Sequence, residues 1–330
     1  MFLFFANVMA DLGFTTDFNR LEELVLRIHD AAIKREGIFQ GGFKRYLPQF
    51  NLPQELEHEP EVRETKDSKT ASLYLFTEAF FERRTKSAQI IRNAKIAWVH
   101  DRWFFDPEQV IEHGVSDVER VMQDVFNYAY SGPNEAPPWE HYMFNAEHLV
   151  EKRQGDPRKA VTGFTASQAR DNIREFRGFG NGIANLYLMY LIDRNIAQPV
   201  DPENALLKID VWKSMLPINV GAVIPNDEEI SRNEVLGREL EAAYHAICKK
   251  HNLDSAFVDS AVWIAGSEGC RTKDYLFCQD HCPALAMCQS RVYEDAGTGR
   301  FQVVKNGERI EVRKNMGQTS LFPTDAFSFD

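Results

Sequence analysis

The sequence predicts a mainly α protein built from two helical units, with a small β-hairpin near the C-terminus. Three observations carry that reading. Apolar residues recur at helical spacing through most of the chain, as at Leu21, Leu24, Val25, Ile28, Ala31 and Ala32 within 17–35, and at Ile230, Val235, Leu236, Leu240, Ala243 and Ile247 within 229–250. A chain of 330 residues exceeds what one hydrophobic core usually fills, and 44% hydrophobic residues suffice for two. Finally, FQVVKNGERIEVR alternates on both sides of Asn306-Gly307, a pair that tolerates the positive φ angles of a tight type I′ turn.

Taken in chain order, the opening MFLFFANVMADLGF is apolar but lacks a basic leader, and Asp11 interrupts it, so it reads as a buried first element rather than a signal peptide or membrane span. A cytoplasmic protein is the expectation. Residues 51–69 are acidic, carry two prolines and lose the apolar period, which marks an exposed linker closing an N-terminal helical extension, 1–69. One long helical pattern covers 70–100, with a basic cluster at Arg83, Arg84 and Lys86 that reads as a solvated face. Pro133, Pro137 and Pro138 interrupt an aromatic stretch at 128–144, expected to be a loop packed on the core, the alternative being the wall of a base-stacking pocket. The expected units are 70–200 and 201–298, followed by the hairpin at 299–314 and a tail at 315–330.

A net charge of −11 argues against a surface basic everywhere, so any contact with DNA must come from local basic patches. One phosphate-binding candidate lies between two helical patterns in SQARDNIREFRGFGNGIANLYLMYLIDR. Gly178, Gly180 and Gly182 allow a tight turn, and with Asn181 they leave backbone N–H groups open to an anion at the start of the second helix. No Lys-Ser or Lys-Thr follows, which excludes a P-loop; a plain helix-to-helix turn is the alternative. Further on, Asp210 sits among apolar residues in NALLKIDVWKSMLPIN. A carboxylate so placed can stabilise a sugar cation and orient water, or simply cap a helix.

Four of the five cysteines, Cys270, Cys278, Cys282 and Cys288, fall within nineteen residues at the spacing C-x7-C-x3-C-x5-C. Disulfides suit neither a reducing compartment nor an odd total. Zinc sites favour C-x2-C pairs a dozen or more residues apart, whereas four thiolates packed this closely suit a compact [4Fe–4S] cluster.

The order of these parts, glycine hairpin, aspartate in an apolar setting, helix, then DSAVWIAGSEGC opening a four-cysteine loop, resembles the helix-hairpin-helix DNA glycosylases of the endonuclease III type over roughly residues 70–290. The resemblance implies two helical domains flanking a cleft, with the helix-hairpin-helix motif, the iron–sulfur loop and the C-terminal β-hairpin as its landmarks. It implies that Gly178, Gly180, Asn181 and Gly182 grip DNA phosphate, that Asp210 serves the cleavage, and that the cysteines hold a [4Fe–4S] cluster fixing a loop whose Arg271 and Lys273 meet DNA. The place of the Schiff-base lysine of bifunctional members falls on Gly182, which has no amine, so a monofunctional glycosylase is implied. LFTE is similar to the acid-bearing helix of adenine-specific members and puts Glu78 in the role of proton donor, against an ordinary buried or surface glutamate.

The tail GQTSLF resembles a bacterial sliding-clamp binding peptide at Gln318, Ser320, Leu321 and Phe322, the alternative being a tail that packs on its own domain. The implied function is excision of a flipped damaged or modified base, leaving an abasic site, in a nucleoid-associated protein. The departures at Gly182 and at Trp212, which stands where the resemblance puts a His, suit a divergent member, akin to enzymes of phage base hypermodification or of antiphage defence against such DNA. Two rivals stand beside it: a glycosylase-fold enzyme that modifies a base substituent, and a non-catalytic DNA-binding module. Neither the base nor the choice between DNA and a free nucleotide is specified by these motifs.

Overall fold

The computed structural model describes residues 14–58, 62–82, 86–128, 136–225, 234–270, 275–289, 291–295, 300–305 and 308–312. Its first helix, α1 (Phe18–Lys34), is capped by Asp17 and buries the stripe Leu21, Leu24, Val25, Ile28, Ala31 and Ala32 that the sequence period marks. The linker expected at 51–69 is partly internal: Leu52, Leu56 and Glu57 are buried, and Glu57 bridges to Thr65.

The helical pattern at 70–100 divides into α2 (Ser68–Phe81) and α3 (Ser87–His100). The division has a packing cause. Ala71 through Phe81 are all buried, so α2 runs through the interior, whereas α3 keeps Ile90, Ala94, Ala97 and Trp98 inside and the opposite side in solvent. The short helices α4 (Pro107–His113) and α5 (Val115–Asp124) follow, then α6 (Pro138–Arg153), which starts on Pro138, where a missing N–H is harmless. Tyr142 of α6 ties this body together, bonding the Thr77 hydroxyl at 2.6 Å and the Phe104 carbonyl at 2.9 Å.

Next come α7 (Ala166–Arg174), opened by a capping box between Thr165 and Gln168, and α8 (Asn181–Asp193), buried from Ala184 to Asp193. α8 packs against α2, so two internal helices form the axis of the protein. Beyond it lie α9 (Val211–Asn219), α10 (Glu234–His251), α11 (Ser255–Ile264) and α12 (Tyr275–His281). α1 packs on α10 and α11, so the N-terminal segment returns to the C-terminal helices.

Strands are few. β1 (Phe14–Thr16) and β2 (Val223–Pro225) form a two-stranded antiparallel sheet, with Phe14 opposite Pro225. β3 (Arg291–Asp295), β4 (Arg300–Lys305) and β5 (Glu308–Val312) form an antiparallel meander. Lys305 pairs with Glu308, so two residues join β4 to β5 at the expected hairpin position; Asn306 and Gly307 themselves lie outside the described residues. Among the described residues no helix is long and apolar enough to cross a membrane.

Candidate active site

The hairpin between α7 and α8 is held from beneath by aromatic rings. Phe176 and Phe179 are buried against Phe76 of α2, with Phe179 stacked on it at a centroid distance of 4.7 Å. Gly178 takes φ +88°, a backbone shape that side chains resist, and this turns the chain toward α8. Asn145, fully buried on α6, clamps the turn by donating to the Arg177 carbonyl at 2.9 Å and accepting the Arg177 N–H at 2.7 Å. Nothing in the local pattern singled out Asn145. Gly180, Asn181 and Gly182 remain exposed at the start of α8, where helix geometry leaves the first N–H groups without intrahelical acceptors. The exposed guanidinium of Arg177 lies 3.9 Å from the Phe144 ring centre, adding a positive charge beside them.

Asp210 is the N-cap of α9. Its Oδ1 accepts from the Trp212 and Lys213 N–H groups, both at 3.0 Å, while the residue stays partly exposed. Asp210 is therefore a helix cap, and the cap points a fixed carboxylate toward the residues around it. Behind it, Lys213 and Asp259 of α11 form a buried ion pair. Asp259 also accepts the Lys208 N–H at 3.0 Å, so one buried carboxylate grips the chain on both sides of Asp210. Burial pushes the Asp259 carboxyl up, Lys213 opposes the rise, and Asp210 adds to it.

Lys208 links this site to the hairpin: its side chain reaches within 4.0 Å of where a side chain on Gly182 would begin. The glycine hairpin is thus brought against the segment that leads into Asp210, twenty-eight residues beyond Gly182 in sequence.

Glu78 lies elsewhere than an exposed acid would. It is completely buried, and neither carboxyl oxygen has a hydrogen-bond partner among the described residues. Burial drives its carboxyl well above the ordinary range; the charge of Glu82 adds to the rise and Lys95 opposes it. Glu82, one turn further along at the end of α2, was absent from the sequence expectations because a continuous helix over 70–100 made it an ordinary helical position. It is partly exposed, accepts the Ser87 hydroxyl at 2.9 Å and the Tyr190 hydroxyl, and lies within the fields of Lys208 and Asp210. Burial raises its carboxyl, Lys208 opposes that, and Asp210 reinforces it.

The cysteine loop begins on a π-helical turn, Ala265–Gly269, that continues α11 and ends at Cys270. None of the five cysteines is joined in a disulfide. Cys270, Cys278, Cys282 and Cys288 are neighbours, because the Cys270 thiol is in the field of each of the other three. Burial, reinforced by these neighbours, pushes Cys270 up to about 12 and Cys282 up to about 11. A cationic centre among them would reverse that penalty by binding the thiolates. The donor set suits an iron–sulfur group in kind, yet among the described residues no three His, Cys, Asp or Glu side chains stand in metal-binding geometry.

The far end of α9 supports this loop. Asn219 bonds the Cys270 thiol, and its carbonyl accepts the Gln289 N–H at 2.9 Å. Arg20 of α1 reaches the carbonyls of Val220 and Met287, the latter at 2.7 Å. Asp210 and the cysteine loop are therefore the two ends of one nine-residue helix. Arg271, Lys273 and the tail residues Gln318, Ser320, Leu321 and Phe322 lie outside the described residues.

A solved structure of endonuclease III, trapped as a covalent intermediate with DNA in an estranged-adenine complex, matches with a TM-score of 0.52 over 83% of this chain and 97% of its own, at 13% sequence identity. This chain has the endonuclease III fold. No family model and no curated protein matches the sequence. At that identity the shared property is the fold, and the chemistry must be argued from the side chains it positions.

Proposed function

We propose that the protein is a DNA glycosylase that hydrolyses the N-glycosidic bond of a flipped base and leaves an abasic site. The observation that carries this reading is the approach of Lys208, two residues before the Asp210 cap, to the exposed hairpin at Gly180–Gly182. The N-terminus of α8 offers backbone donors to a phosphate, with Arg177 beside them. Held by that phosphate, the neighbouring nucleotide has its sugar within reach of a fixed negative charge. Asp210 stabilises the cation that develops at C1′ as the base departs and orients the water that replaces it.

Cys270, Cys278, Cys282 and Cys288 would hold a [4Fe–4S] cluster. When bound, it supplies a structural cross-link for the loop, which Asn219, Gln289 and Arg20 attach to α9 and α1. The loop's Arg271 and Lys273 are proposed DNA contacts. The tail at Gln318, Ser320, Leu321 and Phe322 is proposed to dock on a sliding clamp, which would raise the local concentration of an acidic enzyme on DNA. Excision of hypermodified bases in antiphage defence is the biological setting we propose.

The monofunctional reading follows from Gly182, which carries no amine. Lys208 is the amine that approaches it, but it serves as counter-charge to Glu82 and Asp259. The test is incubation with DNA duplexes carrying a panel of modified bases, followed by an aldehyde-reactive probe and by borohydride. Aldehyde sites without a trapped protein–DNA adduct are expected. An adduct lost in Lys208→Met overturns the monofunctional reading, and no aldehyde with any duplex overturns the glycosylase reading itself.

A further inference from the structure

We infer that Glu82, rather than Glu78, hands the proton to the departing base, an inference that rests on the glycosylase reading above. Glu78 is wholly buried, and neither of its oxygens meets a donor among the described residues. Glu82 stands one helical turn nearer the surface, where α2 ends and the chain turns toward α3. Groups from four elements converge on it among the described residues: Ser87 of α3, Tyr190 of α8, Lys208 of the loop before α9, and Asp210 at the cap of α9. Glu78 lies behind it on its own helix, and Tyr190 in turn is within the field of Asp259.

This arrangement divides labour between two carboxyls in one site. Asp210 accepts two backbone N–H groups at the positive end of a helix. Glu82 is offered a hydroxyl from Ser87 and another from Tyr190, but its burial and the nearby Asp210 charge favour the protonated form. Adjacent carboxyls with opposed environments are the physical basis of an acid and a stabiliser acting together.

The step balances as follows. The Glu82 carboxyl proton goes to the departing base while the C1′–N bond breaks and its electron pair leaves with the base. Asp210 remains ionised beside the sugar cation. Water forms the new C1′–O bond and gives one proton to Asp210, and exchange with solvent then restores Asp210 to the anion and Glu82 to the acid.

The test is single-turnover base release from a modified-base duplex that the wild-type protein cleaves, followed across pH. A required acid gives a rate that falls as pH rises through its pKa. Glu82→Gln should slow release by about 10²-fold and abolish that alkaline fall, with DNA affinity unchanged. Glu78→Gln should keep both the rate and the profile. Tyr190→Phe removes a hydroxyl that stabilises ionised Glu82, so the alkaline fall should move to higher pH; this variant decides the matter even if Glu82→Gln folds poorly. A base that departs without protonation should lessen the Glu82→Gln defect. If the wild type acts and Glu82→Gln or Tyr190→Phe leaves the alkaline fall in place, the inference is overturned while the glycosylase reading stands. A wild type inactive on every duplex overturns both.

Discussion

Lys213 and Asp259 form a fully internal ion pair directly behind the aspartate that caps α9. Asp259 serves as acceptor for the Lys208 N–H as well, so the pair fixes the chain before and after Asp210. Two charges buried this deeply gain little net stability over apolar residues, but removing one partner strands the other. Asp259→Asn should therefore destabilise the protein by about 3–5 kcal/mol in urea denaturation. The double change Lys213→Met with Asp259→Leu should recover much of that stability. It should still release base slowly, because the Lys208 N–H loses its acceptor and Asp210 its fixed setting. Recovery of full activity along with stability would show that the pair does not position Asp210.

Asp210 has two separable roles, a cap and a charge. Asparagine caps helices about as well as aspartate, so Asp210→Asn should change stability by less than about 0.5 kcal/mol while base release falls by about 10²-fold or more. Alanine removes both functions, and Asp210→Ala should cost about 1 kcal/mol of stability in addition. Thermal melts set beside single-turnover rates separate the two. Equal stability losses in both variants would mean that the cap bonds at Trp212 and Lys213 carry no weight in solution.

Glu78 makes a pH prediction of definite sign. Its folded-state carboxyl titrates well above the unfolded one because it is buried, with no hydrogen bond reaching it among the described residues. Between those two values the folded protein holds a proton that the unfolded chain has lost, so stability falls as pH rises, by about 1.4 kcal/mol per pH unit for one group. Stability contributed by the neutral form is complete below the unfolded value and is lost as pH passes the folded one. Glu78→Gln stays neutral at every pH and should remove this slope above the unfolded value in urea denaturation. A wild-type slope unchanged by the substitution would place the titration elsewhere.

Much of this architecture is legible locally. The stripe that runs from Leu21 to Ala32 marks α1 to within a residue at each end, because an amphipathic surface helix writes its buried face into the chain. The glycine hairpin and Asp210 are likewise readable, since turn chemistry and a lone carboxylate among apolar residues are local signals. Their adjacency is not, because it depends on how α8 and α9 pack. Glu82 was missed since periodicity sees no difference between an internal and a terminal turn of a buried helix. Lys213 and Asp259 did leave a trace: each is a charge inside an apolar run, VWKSML and FVDSAV, although only the fold shows that they meet across forty-six positions. β3 escaped notice because RVYED is short and no turn pair announces it.

The coupling between the two ends of α9 rests on one glycine. A Cβ at Gly266 would lie 2.7 Å from the Trp212 carbonyl oxygen, closer than such atoms approach, so the π-helical turn that leads to Cys270 packs on the first turn of α9 only because residue 266 has no side chain. Gly266→Ala must push the turn and α9 apart, at a cost of about 1–3 kcal/mol for an overpacked contact. The movement acts on both neighbours: Asp210 is two residues from Trp212, and Cys270 is four from Gly266. Base release should fall, and the visible absorbance of the protein isolated anaerobically should fall with it if the cysteines hold an iron–sulfur cluster. Gly237→Ala is the matched control, since a Cβ there meets nothing within 4 Å and lies inside α10, where alanine is preferred to glycine by about 0.5–1 kcal/mol. Gly266→Ala should lower the urea midpoint and Gly237→Ala raise or keep it. Equal behaviour of the two variants would show that α9 and the cysteine turn are not packed as tightly as the Trp212 contact requires.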